Sequence, residues 1–199
     1  TQKRSSLKRN SLLPMLGVTL AAAAAGAMLT KPLLARLIDQ QSTRNGPWRT
    51  SITTGSAAAN PWQRAAVALA GLYALSPQEA VYFTAFTDSS GAALRGECHY
   101  RVQGQIPSAR WWSVTVYGAD HYLVPNPEQR YAQSAATLPA RADGTIDIAV
   151  AADARGPATL PSPASGPYSL TLRLYNPPAG MLSALATTPL PRIVPEGCP

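Results

Sequence analysis

At 199 residues with a net charge of +7, the chain is long enough for one domain with its own core and an appendage. Lys3, Arg4, Lys8 and Arg9 crowd into the first ten positions, whereas beyond Asn45 ten arginines stand against nine acids spread singly. That distribution leaves no basic stripe on which phosphates would be neutralised, so nucleic acid is not an expected partner.

Residues 1–10 therefore read as a basic tail, and 11–31 as a transmembrane helix. "SLLPMLGVTLAAAAAGAMLT" carries no charge, and about twenty such residues cross a hydrocarbon core. The positive flank comes first, which orients the amino terminus to the cytoplasm and the remainder to the far side of the membrane. A cleavable signal ending at Ala25-Gly26-Ala27 is the competing reading; an uncleaved anchor is the expectation adopted. Gly17, Ala21 and Ala25, with Ala22 and Gly26, make one helix face nearly free of side chains, on which integral membrane subunits would pack closely. The alternative is that alanine merely sustains helicity. Pro32 predicts a bend or restart, after which Leu33, Leu34, Leu37 and Ile38 share a face suited to the membrane interface. Residues 32–56 then read as a juxtamembrane helix and a polar linker tacked down by Trp48, itself a candidate interface residue.

The globular domain is expected over 57–199. Asn60 before Pro61 predicts an N-cap with proline in the first turn, and Trp62, Ala66, Leu69 and Tyr73 recur at helical spacing up to Ser76-Pro77. The period then changes to two. "EAVYFTAFTD" and "AALRGECHYRV" flank a Ser-Ser-Gly turn and predict a hairpin. "RWWSVTVYG", "GTIDIAVAA" and "PYSLTLRLYNP" predict further strands separated by proline-rich joints. The expected fold is mainly β: an antiparallel, jelly-roll-like β-sandwich of roughly seven to eight strands behind one amphipathic helix and the transmembrane helix.

Two cysteines, Cys98 and Cys198, follow the anchor in a compartment that permits oxidation, and a disulfide is favoured over a buried free thiol. Alternation puts Leu94, Cys98, Tyr100 and Val102 on one face, with Arg95, Glu97, His99 and Arg101 on the other. On the next strand Trp112, Val114 and Val116 share the core face. That leaves Trp111 with Ser113, Thr115 and Tyr117 on a face that must be covered by the first helix, a sugar or another subunit.

The order "LRGECHYRV", "RWWSVTVYGADHYLVPNPEQRY", "DGTIDIAV" and "LPSPASGPYSLTLRLYNP" resembles the carboxy-terminal β-sandwich domain called domain of unknown function 1214. The likeness spans Asn60 to Arg192 and is carried by Trp112-Ser113 with Tyr117, Asn126-Pro127 with Arg130-Tyr131, Asp143-Gly144, and Arg173-Leu174-Tyr175. "ATLPSP" stands where the family has an aromatic-rich "NWLP". The resemblance implies no assigned reaction. It is similar to short membrane-anchored alphaproteobacterial forms paired with a separate domain of unknown function 1254 protein, which implies such a protein as a partner and a bacterial inner membrane with the main domain in the periplasm.

Chemistry has few candidates. Asp120-His121 with His99 is the strongest set for general base or metal work, with Asp120 or Glu97 as a third ligand. Adjacent residues diverge on an extended chain, however, and two histidines fall short of a zinc site, so a polar turn is the preferred reading and no metal or cofactor is expected. Asp88, Asp120, Glu128, Asp143 and Asp153 read as solvated loop acids, and "PNPEQRY" as a proline turn in which Arg130 folds back on carbonyls or an acid. The functional expectation is a non-catalytic accessory or structural subunit of a membrane protein complex. Its rival is a cell-envelope carbohydrate-binding or carbohydrate-active protein using Trp111, Tyr117 and Tyr122.

Overall fold

The computed structural model describes residues 3–69, 74–138 and 140–198, and divides into one unit up to Gln41 and another from Ser42. The first unit is a single helix, α1 (Lys3–Gln40). Its segment Pro14–Gln40 is 27 residues long and contains an 18-residue stretch with a mean hydropathy of 1.5, sufficient by length and composition to cross a membrane. Pro14 and Pro32 both lie inside it, so the expected restart at Pro32 is absent. Proline deletes only one N–H, and a long apolar helix whose flanking turns stay bonded tolerates that loss. Thr19 and Thr30 donate their hydroxyls back to the carbonyls of Met15 (2.9 Å) and Gly26 (2.6 Å), so each hydroxyl proton is satisfied within the helix. Gly17, Ala21, Ala22, Ala25 and Gly26 are all open on its surface.

The second unit holds ten strands among the described residues: β1 (Thr43–Asn45), β2 (Trp48–Thr50), β3 (Ala80–Ala85), β4 (His99–Gln105), β5 (Trp111–Gly118), β6 (Ala132–Ser134), β7 (Thr145–Ala151), β8 (Thr159–Pro161), β9 (Tyr168–Tyr175) and β10 (Arg192–Gly197). They form a large sheet in the order β1-β2-β3-β9-β5-β6 and a small sheet in the order β10-β4-β7-β8. All pairings are antiparallel except β7 with β8.

Both sheets bury alternate residues against each other. Phe83, Trp112, Val114, Leu170, Leu172 and Leu174 from the large sheet meet Tyr100, Val102, Ile146, Ile148, Val150 and Ile193 from the small one in a single apolar core. Period two in the sequence thus turns one face of each sheet into the shared core, while Ser113, Thr115, Ser169 and Thr171 on the other face of the large sheet are buried as well.

The expected hairpin is not formed. The turn itself is tight, with Asp88 N–H donating to the Ala92 carbonyl at 2.8 Å and a bridge between Thr87 and Ala93. Beyond it the chain crosses over: β3 pairs with β2 and β9, while β4 pairs with β10 and β7. Local alternation is the same whether two strands pair or pack face to face, and only the distant partners decide. Asp88 is likewise not solvated. It is 3% exposed, and one carboxylate oxygen accepts from Ser90 N and Oγ and from Ala92 N, holding the crossover turn.

The strand count exceeds expectation because β1, β2, β6 and β8 are only three residues long. Part of the supposed linker is therefore sheet. Trp48, expected at an interface, is 0% exposed in the core and donates Nε1–H to the Pro191 carbonyl at 2.7 Å. A large ring with one donor is more stable inside the sandwich, where that donor finds a carbonyl, than on a tether.

Helix α2 (Pro61–Leu69) begins as its sequence dictates. Gln63 N–H donates to the Asn60 side chain at 2.9 Å and Asn60 N–H donates to the Gln63 side chain at 3.1 Å, a reciprocal cap. Trp62 is half exposed, and Tyr73, expected on the same face, lies outside the described residues. Cys98 and Cys198 form a disulfide across 100 positions, fastening the end of β10 to the small sheet.

Candidate functional site

The outward face of the large sheet is where the conspicuous residues collect. Strand register sets Tyr82 and Ser113 on either side of Arg173, Thr84 and Thr115 on either side of Thr171, and Trp111 beside Tyr175. Arg173 Nη1 donates to Thr115 Oγ1 at 3.0 Å and Nη2 to Tyr117 Oη at 2.7 Å. Its guanidinium also stands 5.4 Å from the Tyr117 ring and 5.8 Å from that of Tyr82, within reach of a cation–π attraction. Trp111 remains 36% exposed and meets Tyr175 edge to face, with ring centroids 5.2 Å apart. The expectation that Trp111 needs covering is thus answered only in part, by Tyr175.

The outward face of the small sheet differs in kind. Arg101 Nε donates to Glu196 at 2.8 Å and Nη1 to Asp147 at 2.9 Å, and Arg141 reaches the other Asp147 oxygen at 3.1 Å. Burial alone would raise the Asp147 pKa; the hydrogen bonds from Arg101 and Arg141 outweigh it and hold the carboxyl below its ordinary range. Hydrogen bonds from Glu196 and then Asp147 push the Arg101 guanidinium up.

The two histidines belong to separate elements. His99 lies on β4 and faces Asp153 at 3.6 Å. His121 sits exposed in the turn after β5 with φ 67°, its N–H donating to the Gly118 carbonyl at 3.0 Å. Asp120 turns back to accept Tyr122 N–H at 3.0 Å, and a Cβ at Gly118 would stand 2.8 Å from that same carboxylate, so a larger residue there would push the side chain aside. Among the described residues no three His, Cys, Asp or Glu side chains gather as a metal site. The pairing of His99 with Asp153 replaces the imagined grouping with Asp120.

A family model described as "Protein of unknown function (DUF1214)" matches residues 79–179, just over half the chain. The chain belongs to the DUF1214 family. Its fold is similar to the crystal structure of the VPA0106 protein from Vibrio parahaemolyticus, with a TM-score of 0.60, 26% identity, and 88% of this chain and 45% of that one covered. A putative uncharacterized protein from Burkholderia cenocepacia is more distantly similar, at a TM-score of 0.46 and 18% identity over 86% of this chain and 41% of that one. This chain therefore spans less than half the length of these solved relatives. No curated protein matches.

The DUF1214 motif residues divide into two groups. Asn126 closes its loop by donating to the Val124 and Arg130 carbonyls and accepting Arg130 N–H, each at 3.0 Å. Arg130 reaches the Gly156 carbonyl, Thr159 Oγ1 at 3.0 Å and Glu128 at 3.4 Å, tying this loop to the approach to β8. The Tyr131 carbonyl accepts Val116 N–H at 3.3 Å, and Trp112 is in the core. Asn126, Arg130 and Tyr131 hold corners, while Trp112 packs the core. Tyr117, Arg173 and Tyr175 instead form the large sheet's outward face. Sequence reading passed over Gln133, which is 1% exposed and donates to the Pro157 (2.6 Å) and Thr159 (2.9 Å) carbonyls. A single polar residue in a three-residue strand gives no periodic signal.

Proposed function

We propose that this DUF1214 protein is a single-pass, membrane-anchored accessory subunit whose periplasmic β-sandwich docks without catalysis in a larger inner-membrane assembly. The observation that carries this reading is the part-open Trp111–Tyr175 pair beside Arg173 on the large sheet, since aromatic side chains and arginine are the residue types that anchor protein interfaces. Three features support it: an N-terminal helix long enough to span, a disulfide suited to an oxidising compartment, and histidines placed on separate elements. The partners it calls for are integral membrane subunits along the small-residue face of α1 and a separate domain of unknown function 1254 protein.

Purification of the tagged full chain in mild detergent, with identification of co-eluting chains, tests the proposal. Trp111→Ala should weaken co-elution by about 2 kcal/mol or more in affinity, and Ala21→Leu with Ala25→Leu should abolish it without lowering membrane content. His99→Gln with His121→Gln should leave it unchanged and complement a deletion; failure of that folded double variant to complement would instead support an enzyme.

A second reading, carbohydrate binding, is favoured by one feature of the same face: the part-open Trp111 ring edge to face with Tyr175, an apolar surface suited to stacking against a sugar.

A further inference from the structure

We propose that α2 is a second, peripheral membrane contact that lies on the lipid surface of the bilayer crossed by α1; this goes beyond the accessory-subunit reading and rests on its membrane anchor. For a helix on a water-exposed domain, α2 is turned inside out. Pro61, Trp62, Ala65 and Ala68 recur at the spacing of one helix face, and all four are exposed. Gln63 and Val67 share the more sheltered side, where Gln63 Nε2 donates to Thr53 Oγ1. Among the described residues, no side chain of α2 joins the apolar core. A surface helix ordinarily does the reverse, burying its apolar stripe and leaving its amides outside.

Composition points to lipid as what covers this face. From Ser51 to Ser76 the chain carries a single charged residue, Arg64, and Ile52 in the same stretch is half exposed, as Trp62 is. Arg64 donates Nε–H to the Ala59 carbonyl at 2.9 Å and Nη2–H to the Ala57 carbonyl at 3.1 Å, so no acid cancels it there. Its other N–H groups suit a headgroup phosphate. Tryptophan with a basic residue and no acid is the composition of the membrane–water interface. A protein partner fits less well, because alanine is depleted at protein interfaces and gives a partner little area to grip.

Connectivity supplies the proximity. Gln41 and Ser42 alone join α1 to β1, a tether of at most about 10 Å. β1 begins the large sheet, β2 and β3 follow it, and α2 is carried on the connection between those two. The helix thus hangs from the end of the sheet that is tied to the membrane span. Nine residues would hold a bilayer weakly on their own, but a covalent tether makes the contact intramolecular, so little intrinsic affinity is needed.

Tryptophan emission tests this in the full chain, because α1 contains no tryptophan. The protein is reconstituted into vesicles of equal parts phosphatidylethanolamine, phosphatidylglycerol and a phosphatidylcholine brominated near the top of its acyl chains. Bromine should quench the wild type, Trp62→Phe should lose most of that quenching, and Trp111→Phe should keep it. Should Trp62→Phe fail to fold, Ala65→Glu with Ala68→Glu, both at exposed positions, should reduce the quenching instead. Quenching lost with Trp111→Phe and kept with Trp62→Phe would overturn the inference and put the large sheet against lipid. No quenching in a wild type that stays with the vesicles through an alkaline wash would overturn it while leaving the anchor standing. Release of the wild type by that wash would overturn both.

Discussion

Arg101 and Arg173 occupy comparable places, each on a central strand with its side chain directed outward, one from the small sheet and one from the large. Arg101 is held between Glu196 on β10 and Asp147 on β7, so its charge is cancelled by the strands it joins. Arg173 finds two hydroxyls and two aromatic rings. An arginine neutralised by its own sheet has little left to offer a partner, and its work is to staple strands. An arginine oriented by neutral groups keeps its attraction for something outside the chain. The same residue type is thus neutralised by acids on one side of the sandwich and held by neutral groups on the other.

The comparison can be broken most severely on the scaffold side. Replacing both Cys98 and Cys198 with Ser frees β10 from its terminal tie, and for a loop of 100 residues should cost about 3–5 kcal/mol, seen as a large fall in Tm that added reductant reproduces in the wild type. Gln133→Leu, which strips the Pro157 and Thr159 carbonyls of their donor inside the fold, should cost about 1–3 kcal/mol in denaturant unfolding.

Acid titration addresses the Arg101 staple itself. The folded Asp147 pKa is depressed, so its contribution is fully present above the ordinary carboxylate value and is lost as pH falls through the lower folded value. Stability of the wild type should therefore decline over that acid window more steeply than that of Asp147→Asn, and Arg101→Met should cost about 0.5–1 kcal/mol at neutral pH. The smallest effect concerns Tyr168. Its hydroxyl is buried without a hydrogen-bond partner, and burial, with a lesser contribution from Tyr100, drives its pKa up. Tyr168→Phe should be neutral or stabilising by up to about 1 kcal/mol in thermal unfolding, because it removes a donor that the fold leaves unpaired.

Much of this was legible in the sequence where the signal is local. Alternation placed Leu94, Cys98, Tyr100 and Val102 inward and Trp111 apart from Trp112, and the Asn60-Pro61 cap and the cysteine pair are where composition put them. What escaped depends on distant pairing. The crossover after Asp88 sends two alternating strands to different sheets, and no property of either strand records which partner it takes. Trp48 lay in a polar stretch whose three-residue strands are too short for any period to declare itself. Pro32 read as a bend or restart because proline removes a helix N–H, a loss that a long apolar helix tolerates. The outward face of the large sheet was half legible: Trp111 and Tyr117 announced themselves, but the Arg173 surroundings draw on β3, β5 and β9, 82 to 173 in the chain, and appear only when those strands align.

Hydroxyl-radical footprinting of the protein in its native membrane, and again after detergent extraction and separation from its partners, bears most directly on the claim that the large sheet carries recognition. Trp111, Tyr117 and Tyr175 should be protected in the membrane and gain reactivity on separation, while His99, on the stapled face of the small sheet, should react equally in both states. Unchanged reactivity at Trp111 and Tyr175, with protection confined to His99, would contradict the assignment and place the contact surface on the opposite sheet.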